Sequence, residues 1–294
     1  MKIYTNCFLF AFSLIGIIAS AQADYAPASD AYRQTFKGGS VWVQGVYNYA
    51  KQDKTKNNDS FKGNTQGVVA GFDAKLSEMM TVGLGYGYTD TSVDMNYRDI
   101  DVKGHHAFLY GKYQPSEWFA NWMMGYSYDK YKTKDEGIHQ KSAYHTYSYT
   151  AHLINGYQFE SGFAPEVGVR YLGINRRPYK SGGEYIKSDK NDLLTGEVGL
   201  RYEKKLKTEK VTWTPRVNVH LVYDFISDRS ETNVNAIDVA SYQVRGRRLH
   251  RFGVESAAGI TASIGSFDVS ADYQGGYREN FQSHTGMLRL KYNF

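Results

Sequence analysis

Hydrophobic and polar residues alternate along most of this chain, in repeated runs of a dozen residues or more. The run from Trp118 to Lys130 carries Trp, Met and Tyr at one set of alternate positions, whereas Asn121, Ser127 and Asp129 fall on the other. The run from Val211 to Phe225 repeats the pattern. Successive side chains of a β-strand point to opposite faces, so each run predicts a strand with one apolar face and one more polar face.

Twelve such runs occur between Ser40 and Phe294, and they predict an all-β fold. The predicted strands cover residues 40–51, 65–76, 79–94, 101–114, 117–133, 142–160, 163–175, 192–205, 211–226, 248–264, 267–279 and 282–294. Most are longer than the roughly 5–6 residues of a typical soluble strand. They also exceed the roughly 9–11 residues that cross a bilayer at a tilt, so their length favours transmembrane β-strands.

The connections between these strands alternate between long and short. The long ones cover residues 52–64, 95–100, 134–141, 176–191 and 227–247, and short turns separate them. The last connection, at Asn280-Phe281, is also short and departs from this alternation. Bacterial outer-membrane barrels have short periplasmic turns and longer extracellular loops. The pattern predicts a 12-stranded antiparallel transmembrane β-barrel over residues 40–294, with both barrel termini in the periplasm and the long loops outside the cell.

Charged side chains fall on the face opposite the apolar one and should therefore line the barrel lumen. The charged residues expected there are Arg170, Glu197, Arg201, Arg216, Glu255, Asp272 and Arg289. An Arg or Lys on the lipid face would cost roughly 2–4 kcal/mol at the bilayer midplane. We therefore expect a polar, water-filled lumen with paired charges. A soluble β-sandwich or small barrel is the alternative, and the strand lengths and many aromatic residues disfavour it.

Composition excludes several other classes of protein. A mean hydropathy of −0.54 is too polar for a protein with many membrane-spanning helices. The 26 Tyr, 15 Phe and 4 Trp exclude a disordered chain. A single Cys excludes a disulfide scaffold. The net charge of +5 does not by itself indicate nucleic-acid binding, and we expect none.

The first 23 residues have the layout of a signal peptide. Lys2 is followed by an apolar run over residues 7–20 and by the small-x-small site Ala21-Gln22-Ala23, so cleavage is expected between Ala23 and Asp24. Such a segment directs export through the Sec translocon. Residues 24–39 then form a short N-terminal segment, which would span about 24 Å as a helix and could plug the lumen. A disordered periplasmic tail is the alternative.

Several motifs, in their order and spacing, resemble the autotransporter β-domain, the translocator barrel of type V secretion. Among them are Val41-Trp42-Val43-Gln44-Gly45, the glycine-rich residues 67–73 and the stretch from Glu197 to Tyr202. The resemblance runs from about Val41 to Phe294. It implies a monomeric barrel in the outer membrane of a Gram-negative bacterium. Only residues 24–39 precede the first predicted strand, so we expect a translocator or small porin-like pore without a large passenger of its own.

The C-terminal strand fits the same resemblance. Leu288, Leu290, Tyr292 and Phe294 alternate on one face up to the last residue. This arrangement resembles the signal that the barrel assembly machinery reads, although an ordinary last barrel strand would look the same.

No motif in the chain indicates an enzyme, a metal site or a cofactor. His145 and Ser148 are expected on opposite strand faces, as are Ser283 and His284, so neither pair can form a nucleophile–base couple. The basic residues 245–248 lie near the outer rim and could meet lipopolysaccharide phosphates, or could be a solvated loop end. Outer-membrane lipid and lipopolysaccharide are the expected surroundings. The alternative function is a structural or adhesive surface protein that works through its extracellular loops.

Overall fold

The computed structural model describes residues 38–54, 60–96, 98–135, 140–181, 184–228, 231–235, 242–245 and 250–294. The predicted signal peptide, the cleavage site at Ala23 and Asp24, and nearly all of segment 24–39 lie outside these residues. Within the described ranges, no helix is long and apolar enough to cross a membrane.

Long antiparallel strands make up most of the described chain. The strands are β1 (Gly39–Gln52), β2 (Phe61–Lys75), β3 (Met80–Met95), β4 (Arg98–Tyr113), β5 (Trp118–Asp135), β6 (Gln140–Tyr157), β7 (Phe163–Arg176), β8 (Tyr179–Ser181), β9 (Glu184–Ile186), β10 (Asp189–Glu203), β11 (Leu206–Lys207), β12 (Thr212–Ser227), β13 (Glu231–Asn235), β14 (Tyr242–Arg245), β15 (Phe252–Ile264), β16 (Phe267–Arg278) and β17 (Phe281–Asn293).

Twelve of the described strands form a closed antiparallel barrel. Each long strand pairs with the next long strand along the chain, in the order β1 to β7, then β10, β12, β15, β16 and β17. The first strand closes the barrel by pairing with the last, from Ser40 opposite Asn293 to Gln52 opposite Phe281. Closure leaves no unpaired strand edge in the barrel wall. The predicted fold class is confirmed.

The two ends of the barrel differ. One end, called the short-turn end below, carries the connections at residues 76–79, 114–117, 158–162 and 265–266 together with Gly39 and Phe294. The opposite end, called the loop end, carries the connections to β8, β9, β13 and β14. One loop-end connection is a two-residue turn between Arg278 and Phe281, in which Asn280 has a φ of 59°. Asn tolerates this left-handed conformation better than most residues.

Several strands extend further at the loop end than the sequence pattern predicted. We predicted a long loop over residues 95–100. This prediction was wrong, because β3 ends at Met95 and β4 begins at Arg98. Likewise β2 begins at Phe61 rather than at residue 65. Beyond the membrane, outward positions no longer need apolar side chains, so the alternation stops while strand pairing continues.

A second small sheet lies in the connections at the loop end. Its strand order is β14-β13-β9-β8. We predicted residues 176–191 as a long connection without strands, and β8 and β9 correct that prediction. Strands of three to five residues are too short to show alternation, and they form through pairing with one another.

Apolar side chains cover the outside of the barrel. The outward residues include Val68, Leu84, Val167, Val198 and Leu288, which keep between 57% and 67% of their surface exposed. This face agrees with the apolar strand faces that the alternation predicted. The barrel interior is therefore the place where polar groups meet.

Candidate functional site: the barrel interior

The seven charged residues predicted to line the lumen lie on inward faces of the second half of the barrel. They are Arg170 on β7, Glu197 and Arg201 on β10, Arg216 on β12, Glu255 on β15, Asp272 on β16 and Arg289 on β17. All seven are buried or half-buried. Strands β7 to β17 thus present a charged wall to the interior.

Ion pairs cross this wall between strands that are not neighbours. Arg170 contacts Glu255 with its Nη2 2.8 Å from Oε1, although β10 and β12 lie between the two strands. Arg216 Nη2 lies 2.6 Å from Asp272 Oδ1 across β15. The sequence placed these residues on one face but could not pair them, because pairing depends on how the barrel curves.

Two buried histidines join the charged wall. His152 contacts Glu197, and His220 Nε2 lies 2.9 Å from Glu166 Oε2. Glu166 also receives Arg201, whose Nε is 2.8 Å from Oε1. Both histidines therefore have a carboxylate partner, as expected for polar residues held in the interior.

A second polar group, missed as a unit by the sequence analysis, lies near the short-turn end. Asp73 accepts hydrogen bonds from Ser40 Oγ at 2.9 Å, from Lys291 Nζ at 2.9 Å and from the Tyr110 hydroxyl. Trp42 Nε1 donates to the Tyr110 oxygen at 2.8 Å. Four strands thus converge on one carboxylate, which we call the Asp73 cluster.

Arg289 links the Asp73 cluster to the barrel seam. Its Nε donates to Gln44 Oε1 at 2.7 Å, and its guanidinium lies 4.6 Å from the centre of the Trp42 ring. A guanidinium over an indole face is a favourable cation–π contact.

Buried apolar clusters lie among the polar residues of the inward face, which corrects the expectation of a wholly polar lumen. One buried apolar cluster spans the loop end, and it includes Phe61, Ile100, Tyr131, Leu172 and Ile174. A second cluster lies deeper in the barrel and includes Trp42, Val46, Val69, Phe108, Met123 and Met287. Alternation separates two faces but does not require the inward face to be polar, so sequence reasoning missed this layer.

Aromatic rings of the second cluster lie against glycines on the neighbouring strands. A Cβ added to Gly71 would overlap the Trp42 ring, one added to Gly83 would overlap the Tyr110 ring, and one added to Gly85 would overlap the Phe108 ring. Glycine permits this close approach because it has no side chain. The rings can therefore lie flat on the inner wall.

The C-terminal residues named as an assembly signal lie outward on β17. Leu288, Leu290, Tyr292 and Phe294 each keep at least 42% of their surface exposed. In the closed barrel β17 pairs with both β1 and β16, so this strand is not a free edge once folding is complete. Recognition of β17 by the barrel assembly machinery would therefore have to take place before the barrel closes.

The histidine–serine pairs are separated as expected. Ser148 and Ser283 are buried on the inward face, whereas His145 and His284 contact outward tyrosines. In the part of the chain that the structure describes, no three His, Cys, Asp or Glu residues come together as metal ligands. Of the basic residues 245–248, only the backbone of Arg245 is described, and residues 246–248 lie outside the described ranges.

Comparison with known proteins agrees with the barrel geometry. The family described as "Autotransporter beta-domain" matches residues 41–274. "Outer membrane protein B" of Rickettsia prowazekii is 24% identical over 285 residues, which cover 86% of this chain and 17% of that protein. "Putative surface cell antigen sca2" of Rickettsia sibirica is 22% identical over 275 residues, or 86% of this chain and 15% of that protein. The chain thus spans less than a fifth of these relatives.

Solved structures share the fold. The translocator domain of autotransporter NalP from Neisseria meningitidis superposes with a TM-score of 0.73 at 15% identity, covering 97% of this chain and 98% of that chain. The β-domain of the Bordetella autotransporter BrkA gives a TM-score of 0.68 at 16% identity, covering 87% of this chain and 100% of that chain. At such low identity these similarities concern the fold alone.

Proposed function

Because this chain belongs to the autotransporter β-domain family, a translocator barrel of the outer membrane of Gram-negative bacteria, we propose that its lumen provides a path across that membrane. The specific role is that of a translocator or small pore, working as a monomer and carrying out no catalytic step. The observation that carries this proposal is the charged inner wall on β7 to β17, whose ion pairs give the interior a hydrophilic lining suited to a polar segment.

The proposal includes an orientation. The short-turn end faces the periplasm and the loop end faces the outside of the cell, as is general for bacterial barrels. Gly39 and Phe294 lie together at the short-turn end, where the Phe294 backbone N–H donates to Gly39 O at 3.0 Å. Export through the Sec translocon and insertion by the barrel assembly machinery would deliver the chain in this arrangement.

The segment before β1 is proposed to enter the lumen. Its attachment point, Gly38, is at the short-turn mouth beside Phe294. The segment carries Asp24, Asp30, Arg33 and Lys37, which could pair with the mixed charges of the inner wall. A helix of this length would reach about 24 Å into the barrel.

Conductance in planar bilayers tests the lumen proposal. We expect the chain from residue 24 to give small, infrequent channels, and the chain from residue 38 to give larger, steadier ones. The control is a variant in which two residues replace the four-residue turn 114–117. This change shortens a connection between strands and leaves the residues that line the lumen in place. The pore proposal would be contradicted if neither of these two chains conducts ions although gel mobility shows that both are folded.

The finer proposal is a pore without a large passenger of its own. Its test is the mass of the protein in isolated outer membranes. A band at or slightly below 33.4 kDa, the mass of residues 1–294, agrees with the proposal if no larger fragment derived from the same gene is found outside the cell. A much heavier band, or such a released fragment, contradicts it.

The second candidate function is a structural or adhesive surface protein. The small sheet of β8, β9, β13 and β14 favours it, because an ordered sheet outside the wall can present a binding surface. Replacing residues 229–247 by a short Gly-Ser linker should abolish binding to host cells or matrix under this reading. Under the pore reading, conductance changes and surface binding does not.

A further inference from the structure

The outward face of β5 changes character along its length. From the short-turn end it reads Trp118, Ala120, Trp122, Met124, Tyr126 and Tyr128, and then Lys130, Lys132 and Lys134. Trp118 and Tyr128 are ten residues apart, or about 34 Å along the strand. At a tilt near 40° this becomes about 26 Å across the membrane, close to the roughly 25 Å apolar band of such barrels. The three lysines therefore begin where the aromatic girdle ends.

Strand pairing brings further basic side chains beside the first of these lysines. Lys130 lies directly opposite Lys103 on β4 and directly opposite His145 on β6. Arg177 follows β7, and its backbone N–H donates to His145 O at 3.0 Å. We call Lys103, Lys130, His145 and Arg177 the cationic row.

Tyrosines of the aromatic girdle contact His145 and Arg177 of the cationic row. The His145 ring stacks on Tyr128 with centres 5.2 Å apart, and the Tyr128 hydroxyl lies 2.7 Å from His145 Nδ1. When this hydroxyl donates to Nδ1, the Nε2–H of His145 can donate to a ligand. The Arg177 guanidinium lies 4.6 Å above the Tyr147 ring. Both side chains are thus positioned at the outer surface of the barrel.

The charges of the row are poorly compensated compared with other cations at the loop end. Lys51 pairs with Asp53 at 2.8 Å, and Lys190 pairs with Asp192 at 3.2 Å. Among the described residues, Lys103 and Lys130 form no ion pair.

Four carboxylates face the same region: Asp90 lies opposite Lys103, Asp101 opposite Lys132, Asp99 opposite Lys134, and Asp94 opposite Asp99. They are one fewer than the five cations Lys103, Lys130, Lys132, Lys134 and Arg177, and none of the four is opposite Lys130. Like charges directly opposite each other destabilise a strand pair. An anion between Lys103 and Lys130 would relieve this repulsion.

We propose that the cationic row binds the phosphate groups of lipopolysaccharide in the outer leaflet. Lysine, arginine and an imidazole N–H form charge-assisted hydrogen bonds to phosphate oxygens. The girdle just below the row places those phosphates at headgroup depth, with the acyl chains along the apolar face of β4 to β6. The proposal rests on the orientation given under the proposed function, with the loop end outside the cell.

Binding of purified lipid A to the refolded chain from residue 24 tests the proposal. The probes are bisphosphorylated lipid A, the same lipid after phosphate removal, and inorganic phosphate. We compare the original chain with Lys103→Gln/Lys130→Gln and with Lys204→Gln/Lys210→Gln. The second double variant has the same charge change at two exposed lysines of the short-turn end.

We expect bisphosphorylated lipid A to bind the original chain and the Lys204/Lys210 variant equally. Each basic residue near an anionic surface contributes on the order of 1 kcal/mol, so the Lys103/Lys130 variant should bind about 25-fold more weakly. Equal affinity of both double variants would overturn the proposal. So would equal binding of the dephosphorylated lipid, or competition by inorganic phosphate at matching concentration.

A labelling experiment separates this proposal from the proposed orientation. The only Cys of the chain is Cys7, inside the predicted signal peptide, so a Lys132→Cys variant has one thiol after cleavage. An impermeant thiol reagent should label it on intact cells. No labelling alongside phosphate-dependent lipid A binding in vitro would reject the orientation, whereas labelling without such binding would reject the lipid site.

Discussion

Arg170 on β7 and Glu255 on β15 form a two-pronged ion pair across the barrel interior. Nη2 lies 2.8 Å from Oε1, and Nη1 lies 3.3 Å from Oε2. Because β10 and β12 separate the two strands, the pair holds the charged wall together through the lumen and not through the sheet. Two parallel hydrogen bonds also fix the orientation of the guanidinium.

Breaking this pair from one side should destabilise the barrel. We expect Arg170→Ala to lower the free energy of unfolding by about 2–3 kcal/mol, because Glu255 then remains in the interior without its partner. Urea unfolding in lipid vesicles, followed by gel mobility, measures the change. Arg170→Met/Glu255→Met should cost less than the single change, since no charge is left behind.

The matched control for this experiment is Lys190→Ala. Its pair with Asp192 is exposed, with 64% of the lysine side-chain surface accessible, so no measurable loss of unfolding free energy is expected. Similar losses for Arg170→Ala and Lys190→Ala would mean that the interior ion pair contributes no more to the unfolding free energy than an exposed pair does.

The Asp73 cluster makes a second prediction. Tyr110→Phe removes the donor to Asp73 and the acceptor of the Trp42 N–H, so two buried polar groups lose a partner. We expect a loss of about 1–3 kcal/mol in unfolding free energy and a shift in tryptophan emission. Tyr47→Phe removes an exposed hydroxyl bonded to Asn64 and should change neither quantity measurably. If Tyr110→Phe changes neither the unfolding free energy nor the tryptophan emission, the hydrogen bonds of Tyr110 in the Asp73 cluster do not contribute measurably to stability.

The glycines beneath the inner aromatic rings make a third prediction. Gly71→Ala should reduce folding yield and thermal stability, because the new methyl group overlaps the Trp42 ring. Gly45→Ala on the neighbouring strand meets no atom within 4 Å and should fold normally. The fraction of heat-modifiable protein after refolding compares the two variants. Equal yields would mean that the Trp42 ring can move aside at little cost.

The C-terminal residue makes a fourth prediction, which separates recognition from packing. Deleting Phe294 should lower the amount of assembled barrel in cells several-fold, while refolding of the purified protein into detergent stays nearly complete. The folded chain loses little, since Phe294 is half-exposed and its ring lies 6.4 Å from that of Phe72. Equal defects in cells and in detergent would assign Phe294 a packing role only.

Alternation predicted the barrel well because its cause is geometric. A strand in a membrane wall must place apolar groups outward at every second residue, and Val211 to Phe225 shows this without knowledge of any contact. The same reasoning placed Arg216 inward, and the structure gives it Asp272 as a partner. The prediction weakened where strands leave the membrane, as at Met95 and Arg98, because the requirement for outward apolar groups ends there.

The interior contacts could not be predicted for a different reason. Asp73 and Tyr110 are 37 residues apart, and Arg170 and Glu255 are 85 apart, so their meeting depends on barrel curvature and strand stagger. The inward apolar layer was also missed. Residues such as Val69 and Met123 satisfy the alternating pattern equally well whether their side of the strand meets water or other side chains.

The seam between β1 and β17 sets the order of events in folding. Gln44 and Arg289 meet across it although 245 residues separate them, so the first strand to be exported must wait for the last. Closing so long a loop is slow, because most of the chain must be organised before this contact brings any gain. Until β17 pairs with β1, the first strand presents an unpaired edge, and such an edge can pair with other chains. The arrival of β17 is therefore the step that removes the last open edge of the barrel wall.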